Sequence, residues 1–309
     1  MDINYENLAD LHRTLSTVFQ DAFAAAPPSQ WPQVCELIRS TSERNDYHWL
    51  GEMEDMREWI GQRIARELKS YEYSIKNRDF ELTLKARRTQ IEDDQGGASA
   101  QYSSRTAIMA RSVARHPDQF MFGEIIARGH LLVGYDGVPF FDSDHPIGDT
   151  GTTMSNDLGG SGAPWYMLDT NKPLKPFIFQ MRKEPEFVSR TNLSDSNVFF
   201  NKEFLWGADA RYAGGFALWH TAAKSKQVLD KAAVDAAIDL MATFTNDEGV
   251  KMGIRPNVLL YPDSLRTKVQ DLFEPEFLAN GASNVMLSTK TILGLQLVQC
   301  SWLPDADPA

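Results

Sequence analysis

Apolar and polar residues alternate strictly in two short stretches of this chain. Residues 71–76 and 80–85 each place an apolar side chain at every second position. Strict alternation is typical of a strand with one buried face. Asn77-Arg78-Asp79, between the two stretches, contains residue types that favour turns. The pattern therefore predicts a β-hairpin over residues 71–86.

The stretch from Trp49 to Asp94, which contains this hairpin, is dense in charge. It carries 11 acidic and 9 basic residues, whereas 24% of the whole chain is charged. A two-stranded ribbon alone in water is at best marginally stable, so a long charged hairpin needs a surface to lie on. We interpret the stretch as an arm that contacts a neighbouring subunit.

An amphipathic helix is predicted near the N-terminus. Apolar residues recur at helical spacing from Leu8 to Ala22, and Ala26-Pro27-Pro28 ends the pattern. An irregular, proline-containing stretch follows to Tyr47. The helix is therefore expected either to pack on its own domain or to form an arm that crosses a neighbour, and both interpretations stay open.

Two further helical patterns follow the charged stretch. The first runs from Ala98 to Arg115. Pro117, a residue type tolerated in the first turn of a helix, begins a second pattern that ends at Gly129. Together they predict a long, bent helical spine. Residues 148–162 are rich in Gly, Thr, Ser and Asp and predict an exposed loop.

The remainder of the chain changes from strand-like to helical patterns. Aromatic and β-branched runs predict strands of one sheet at 177–180, 187–190, 198–204 and 217–220. The later patterns predict a helix at 226–245, a buried strand at 258–261, a short helix at 264–273 and a closing strand at 292–300. A block of helices and strands followed by an α/β block gives an α+β fold class.

Composition narrows the classes of function. The chain has 309 residues, a net charge of -11 and an isoelectric point near 5.1, so it can bury a core but lacks the basic excess of proteins that grip nucleic-acid backbones. Cys35 and Cys300 lie far apart and lack metal-ligand spacing. Since neither a signal peptide nor a run of roughly 18 apolar residues occurs, we expect a cytosolic protein.

Candidate catalytic and metal-binding groups are sparse. Asp142, Asp144 and His145 are ligand types suited to a divalent metal, but their position before a proline favours a turn. Glu92-Asp93-Asp94 precedes a predicted helix and favours electrostatic capping of that helix. Residues 159–162 lack the Gly-Lys-Ser/Thr ending of a phosphate-binding loop. We therefore predict no enzymatic activity, no metal and no cofactor.

Residue types that are enriched in protein interfaces cluster between Trp49 and Arg63, where Met, Trp and Arg recur. The alternative is that Trp49, Trp59 and Ile60 belong to the core. In the interface interpretation, aromatic, methionine and charged residues of the charged stretch form the contacts between subunits. The predicted contact residues are Trp49, Met56, Arg57, Glu58, Trp59, Arg63, Tyr73, Lys76, Arg78, Asp79, Arg87 and Arg88.

Five motifs occur in a combination that is more specific than any one of them. They are Trp49-Leu50-Gly51, Met56-Arg57-Glu58-Trp59-Ile60-Gly61, Ile91-Glu92-Asp93-Asp94, Tyr135-Asp136-Gly137-Val138-Pro139-Phe140-Phe141-Asp142-Ser143-Asp144-His145-Pro146 and Lys202-Glu203-Phe204-Leu205-Trp206-Gly207. Over nearly its whole length the chain resembles the Mu-like phage and prophage major head subunits. That resemblance implies a tailed-phage major capsid protein of the Hong Kong 97-type fold. Such proteins build the pentamers and hexamers of an icosahedral shell around double-stranded DNA.

The resemblance also implies a domain map. The implied segments are an N-terminal arm (1–48), an extended β-hairpin loop over an adjacent subunit (49–94), a peripheral domain with the spine helix (95–225) and an axial domain with the closing strand (226–309). In the usual order of this fold, the strand-rich peripheral segment follows the axial domain. Here the strand-like residues 165–220 precede the helix at 226, so a permuted order and a different matching of segments both stay open.

The implied partners are further copies of the chain, a scaffold and a maturation protease as separate chains, and a portal. Packaged DNA would be contacted weakly and without sequence preference, cement proteins are left open, and no membrane partner is expected. The protein would reside in the virion after assembly in the cytoplasm of the bacterial host. Two alternatives remain: a tail or baseplate protein, and a metal-dependent hydrolase that uses Asp142, Asp144 and His145.

Overall fold

The structure is a computed structural model that describes residues 3–51, 72–93, 98–148, 151–277 and 282–308. The α-helices are α1 (Tyr5–Ala24), α2 (Arg88–Glu92), α3 (Ala98–Phe120), α4 (Ser196–Asn201), α5 (Lys231–Thr243), α6 (Arg266–Phe273) and α7 (Val285–Leu293). The strands are β1 (Cys35–Arg39), β2 (Arg44–Asp46), β3 (Ser74–Lys76), β4 (Arg78–Arg87), β5 (His145–Ile147), β6 (Thr152–Met154), β7 (Asp157–Gly160), β8 (Trp165–Leu168), β9 (Phe177–Arg190), β10 (Glu203–Phe216), β11 (Ala222–Lys226), β12 (Val258–Tyr261) and β13 (Gln296–Gln299).

Two sheets organise the described chain. The first has four strands in the order β1-β9-β10-β4, and its 14-residue strands β9 and β10 pair antiparallel. The second has five strands in the order β13-β12-β8-β11-β7. Every residue of β8 and β12 is buried, as expected for strands that are covered on both faces. Helices and sheets are therefore mixed as predicted for an α+β protein.

The second sheet draws strands from both sides of the domain boundary predicted between residues 225 and 226. β8 pairs with both β11 and β12, and β12 in turn pairs with β13. The chain reaches this sheet through β7 and β8, returns to the first sheet through β9 and β10, and enters the second again at β11. Sheet membership thus crosses this boundary, and the division into peripheral and axial domains stays a prediction.

The predicted hairpin over residues 71–86 is wrong. β3 pairs with β2 and β4 pairs with β10, so β3 and β4 do not pair with each other; Tyr71 lies outside the described residues. The reason is that Asn77 ties the chain to an earlier segment instead of turning it. Its side-chain amide donates to Ser40 Oγ over 2.9 Å, and its backbone N–H donates to the carbonyl of Glu43 over 2.9 Å.

Two strand predictions in the middle of the chain also need correction. The runs 177–180 and 187–190 belong to one continuous strand, β9. Residues 198–204 do not form a strand, because α4 occupies their first half and ends at Lys202, whose left-handed backbone (φ 54°) stops the helix. β10 then begins at Glu203.

The remaining corrections concern shorter segments. The strand predicted at 217–220 is replaced by a 3-10 turn over Trp219–Thr221. The predicted loop at 148–162 includes the short strands β6 and β7. The closing strand is confined to Gln296–Gln299, because α7 continues to Leu293 and ends at Gly294 in a left-handed conformation (φ 63°).

The predicted helices are confirmed with one exception. No new helix begins at Pro117, which lies inside α3; the helix continues to Phe120 and then widens into a π-helical segment, Met121–Ile126. α1, α5 and α6 match the periodic patterns, as does the buried strand β12. Within the described ranges, no helix is both long and apolar enough to span a membrane.

α1 packs on its own chain, which is one of the two arrangements that the sequence left open, and the arm over a neighbouring subunit stays a prediction. Its apolar stripe begins with Leu8 and Leu11, and the buried Leu15 continues it against Phe204 and Trp206 of β10. One turn further along α1, Phe19 packs in a second buried cluster with residues of α3. Burying an amphipathic face in this way supplies most of the stability of a protein helix.

Candidate assembly surfaces

The predicted contact residues divide into two groups. Met56, Arg57, Glu58, Trp59 and Arg63 lie outside the described residues. The others lie within the described residues 3–51 and 72–93. They are Trp49, Tyr73, Lys76, Arg78, Asp79, Arg87 and Arg88. The geometry below concerns this second group.

Four of these residues form ion pairs within the chain. The pairs are Lys76–Glu43 (2.9 Å), Arg78–Glu124 (2.9 Å), Asp79–Arg211 (2.5 Å) and Arg88–Glu92 (2.8 Å). The side chains of the four predicted residues are between 39% and 75% exposed. Exposed pairs of this kind contribute about 0–1 kcal/mol each. They therefore position the charges on the surface while leaving them open to a neighbouring molecule.

Arg78 is held more firmly than its ion pair alone implies. Its guanidinium carbon lies 5.1 Å from the ring centre of Phe120 and 5.5 Å from that of Phe80. A guanidinium over an aromatic face gains roughly 0.5–1 kcal/mol at an exposed site. The Arg78 side chain is consequently preorganised, with Glu124 beside it.

Tyr73 serves the fold of its own chain. Its hydroxyl oxygen accepts the backbone N–H of Phe216 over 2.9 Å. Burial raises the pKa of Tyr73 to about 12, so the phenol is neutral at physiological pH. Trp49, by contrast, is 56% exposed and borders an apolar recess with Leu174, Leu218 and Met252. Of the two aromatic residues, Trp49 is the one available to a partner.

Sequence reasoning missed an apolar surface at the end of the first sheet. Phe199 and Phe200 of α4 are 72% and 77% exposed, and α4 connects the long strands β9 and β10. The sequence pattern predicts a strand for both residues, and alternate side chains of a strand are buried. The usable signal was the short polar segment before them, Thr191-Asn192-Leu193-Ser194-Asp195, which is typical of a connection.

The group Asp142, Asp144 and His145 forms a turn whose histidine points inward. His145 is fully buried; its Nδ1 lies 2.6 Å from Asp136 Oδ2 and its Nε2 lies 3.2 Å from Asn156 Oδ1. Asp142 accepts the backbone N–H of Asp144 over 2.9 Å. Among the described residues, no cluster of three His, Cys, Asp or Glu side chains is arranged to hold a metal ion.

Asn156 joins His145 to the neighbouring backbone. The Asn156 amide nitrogen donates to the carbonyl of Phe140 (2.8 Å), and its oxygen accepts the N–H of Asp142 (3.0 Å). Both ring nitrogens of His145 therefore face side-chain oxygens, Asp136 Oδ2 on one side and Asn156 Oδ1 on the other. The ring also stacks on Trp219, with centroids 4.2 Å apart. His145, Asp136 and Asn156 thus form a buried hydrogen-bonded group with a structural role.

An ion pair with a buried lysine fastens the C-terminal segment. The Lys224 side chain is 1% exposed and its Nζ donates to Asp307 Oδ2 over 2.7 Å, and Lys226 Nζ lies 3.1 Å from the same oxygen. Burial on its own would raise the pKa of Asp307, but the hydrogen bonds from Lys224 and Lys226 outweigh it and lower the pKa below its usual value. The carboxylate is therefore ionised at neutral pH.

Comparison with known proteins identifies the family. A family model described as Mu-like prophage major head subunit gpT matches residues 8–303. The major capsid protein of Escherichia phage Mu is 34% identical over 285 residues, which cover 89% of this chain and 92% of that protein. The Mu-like prophage FluMu major head subunit of Haemophilus influenzae is 34% identical over 271 residues, which cover 84% and 86% respectively.

Solved structures agree with the family match. A chain from the procapsid of bacteriophage JBD30 is 36% identical with a TM-score of 0.79, covering 97% of this chain and 100% of that one. A chain from the JBD30 capsid is 29% identical with a TM-score of 0.77, covering 93% and 94%. The fold is accordingly the Hong Kong 97-type fold of tailed-phage capsid proteins, and members of the matched family are structural proteins, not enzymes. This chain belongs to the Mu-like prophage major head subunits, the major capsid proteins of their tailed phages.

Proposed function

We propose that this head subunit assembles with further copies of itself into the pentamers and hexamers of an icosahedral shell that encloses double-stranded DNA. The observation that carries the proposal is the likeness of 97% of the chain to a subunit of the JBD30 procapsid. The exposed ion pairs around β3 and β4 support it, because charges at the rim of an interface set register and partner choice more than they add affinity.

The predicted contact residues remain our candidates for the interfaces between subunits. Residues 49–94 would form the extended loop over an adjacent copy, after the arm at 1–48, with residues 95–225 and 226–309 as peripheral and axial domains. A scaffold and a maturation protease would act as separate chains, and a portal would complete the head in the host cytoplasm. The net charge of -11 suits a container that contacts its packaged DNA weakly.

Self-assembly is tested by negative-stain electron microscopy and sedimentation of the purified protein, first alone and then with a candidate scaffold. We expect closed shells, or free pentamers and hexamers. A persistent monomer under both conditions would contradict the proposal.

The contact role of Arg78 is tested by charge reversal with an internal control. Arg78→Glu also breaks the pair with Glu124, so its effect on assembly alone is ambiguous. Arg78→Glu combined with Glu124→Arg restores an ion pair within the chain while reversing the charge presented at position 78. If Arg78 contacts a neighbour, both variants fold but fail to form shells. Normal shells from the double variant would show that Arg78 acts within its own chain.

A further inference from the structure

β4 is a long strand at the edge of the first sheet. It spans ten residues and pairs along its whole length with β10 on one side. Within the described residues, no strand pairs with its other side. An edge of this length presents a row of backbone donors and acceptors to which another strand can add. The question is which chain supplies that strand.

The ladder register shows which backbone groups of β4 point away from β10. The N–H of Arg88 donates to the carbonyl of Lys202 over 2.8 Å, one step beyond the pair Arg87 and Glu203. Hydrogen-bonded positions alternate along an antiparallel pair. The backbone groups of even-numbered residues of β4 therefore bond to β10, and those of odd-numbered residues point away from β10. The N–H of Arg87 agrees, because it donates to Gln90 Oε1 over 3.3 Å and not to β10.

The odd-numbered residues of β4 carry charges in a particular order. Asp79 and Glu81 are acidic, Thr83 is neutral, and Lys85 and Arg87 are basic. All five are exposed, and their side chains share one face of the strand because side chains alternate with a period of two. The row therefore changes sign about Thr83.

We propose that β4 pairs antiparallel with β4 of a second copy across a two-fold axis at Thr83. This register places Glu81 opposite the partner's Lys85 and Asp79 opposite the partner's Arg87. By symmetry each pair occurs twice, so four pairs of opposite charges form across the axis. The proposal rests on the assembly role proposed above and names one contact through which copies meet.

Other registers fit less well. An antiparallel shift of two residues in either direction keeps only two of the opposite-charge pairs, and a parallel arrangement places like charges side by side. Cross-strand pairs of opposite charge stabilise a sheet and like charges oppose it. The charge order thus selects the register centred on Thr83 from the alternatives that the backbone allows.

The inner face of β4 is compatible with the same register. Leu82 would face the partner's Leu84, and Phe80 would face the partner's Ala86. Leu82 is 37% exposed in the single chain, so pairing would cover apolar surface that is now open. Because a two-fold contact uses one patch on both copies, it cannot close a ring of five or six; it joins neighbouring rings.

Disulfide trapping tests the contact directly. Opposed residues at a hydrogen-bonded position lie about 5.5 Å apart between Cα atoms, within the range a disulfide spans. Full-length Thr83→Cys should give a covalent dimer on mild oxidation of assembled particles, read by non-reducing electrophoresis. Val188→Cys, also exposed but on β9, is the matched control and should stay monomeric; the native Cys35 and Cys300 are buried. Normal shells without a Thr83→Cys dimer would overturn this contact and leave the assembly role intact.

Mixing charge variants provides a second test. Glu81→Lys alone places two lysines opposite each other, and Lys85→Glu alone places two glutamates opposite each other. Each variant alone should form the contact roughly tenfold more weakly or worse. An equal mixture should recover it, because the two variants complement each other across the axis. Lys85 also pairs with Glu203 in its own chain over 2.9 Å, and mixing cannot repair that loss. A mixture no better than the single variants would overturn the register.

Discussion

Removing the carboxylate of Asp136 should destabilise the protein far more than removing that of Asp144, although both belong to one sequence motif. The Asp136 side chain is 4% exposed and lies beside the fully buried ring of His145. Asp144 is exposed. Asp136→Ala leaves Nδ1 of His145 buried without an acceptor, whereas Asp144→Ala changes a solvated turn.

The magnitudes follow from the local bonding. Leaving a buried hydrogen-bonding group without its partner costs about 1–3 kcal/mol, and we expect Asp136→Ala to lie in the upper part of that range. Asp136→Asn should cost about 1 kcal/mol, because a rotated amide can donate to Nδ1 while Nε2–H donates to Asn156, so that a neutral ring keeps both hydrogen bonds. Asp144→Ala should change the free energy of unfolding by less than about 0.5 kcal/mol.

Urea unfolding of the unassembled protein, followed by circular dichroism, measures all three variants against the parent. The reasoning would be refuted if Asp136→Ala cost less than about 1 kcal/mol, or if Asp136→Asn were as harmful as Asp136→Ala. Calorimetric titration with Mn²⁺ addresses the metal-dependent alternative. Tight binding that Asp144→Ala removes would favour a metal site at this turn.

Three further changes test the packing and the C-terminal fastening. Leu15→Ala should lower the free energy of unfolding by about 2–5 kcal/mol, measured by urea unfolding, since this α1 side chain is 1% exposed; a cost below about 0.5 kcal/mol, as at a surface position, would contradict its core role. Gly215→Ala should cost about 1–3 kcal/mol, because a Cβ there would lie 2.3 Å from a buried isoleucine carbon; an unchanged melting temperature would show that the neighbour moves. Asp307→Asn should cost about 1–3 kcal/mol at pH 7. Because the folded pKa of Asp307 is lowered, this difference should be present at neutral pH and vanish as the pH falls through that pKa; a difference that persists in acid would contradict the ion pair.

Helices and buried strands were predictable wherever periodic apolar residues decide the local structure. α1, α5 and β12 match their patterns closely. A helix with one buried face shows apolar residues at every turn, and a strand buried on both faces shows a continuous apolar run. The same periodicity correctly predicted that residues 80–85 form a strand. The sequence also indicated that the candidates for metal binding were weak, because the residue types at Asp142 and Asp144 equally suit a turn.

The candidate site was predictable as residue types but not as contacts. The sequence predicts contacts between subunits for the charged residues from Lys76 to Arg88, and that stays a prediction; their partners within the chain, Glu43, Glu124 and Arg211, lie far away in sequence. The exposure of Phe199 and Phe200 was missed because α4 is short. Short helices depend on the capping and connection around them more than on periodicity.

Strand pairing was decided by tertiary structure. The alternation in residues 71–76 and 80–85 was equally consistent with a local hairpin and with partners elsewhere, and Asn77 reads as a turn residue in sequence although it is a buried junction in the fold. β4 instead lies against β10, which leaves its charged row at the edge of a sheet. Side-chain patterns record which face of a strand is buried. They do not record its neighbour, because the backbone donors and acceptors that form a ladder are nearly the same at every residue.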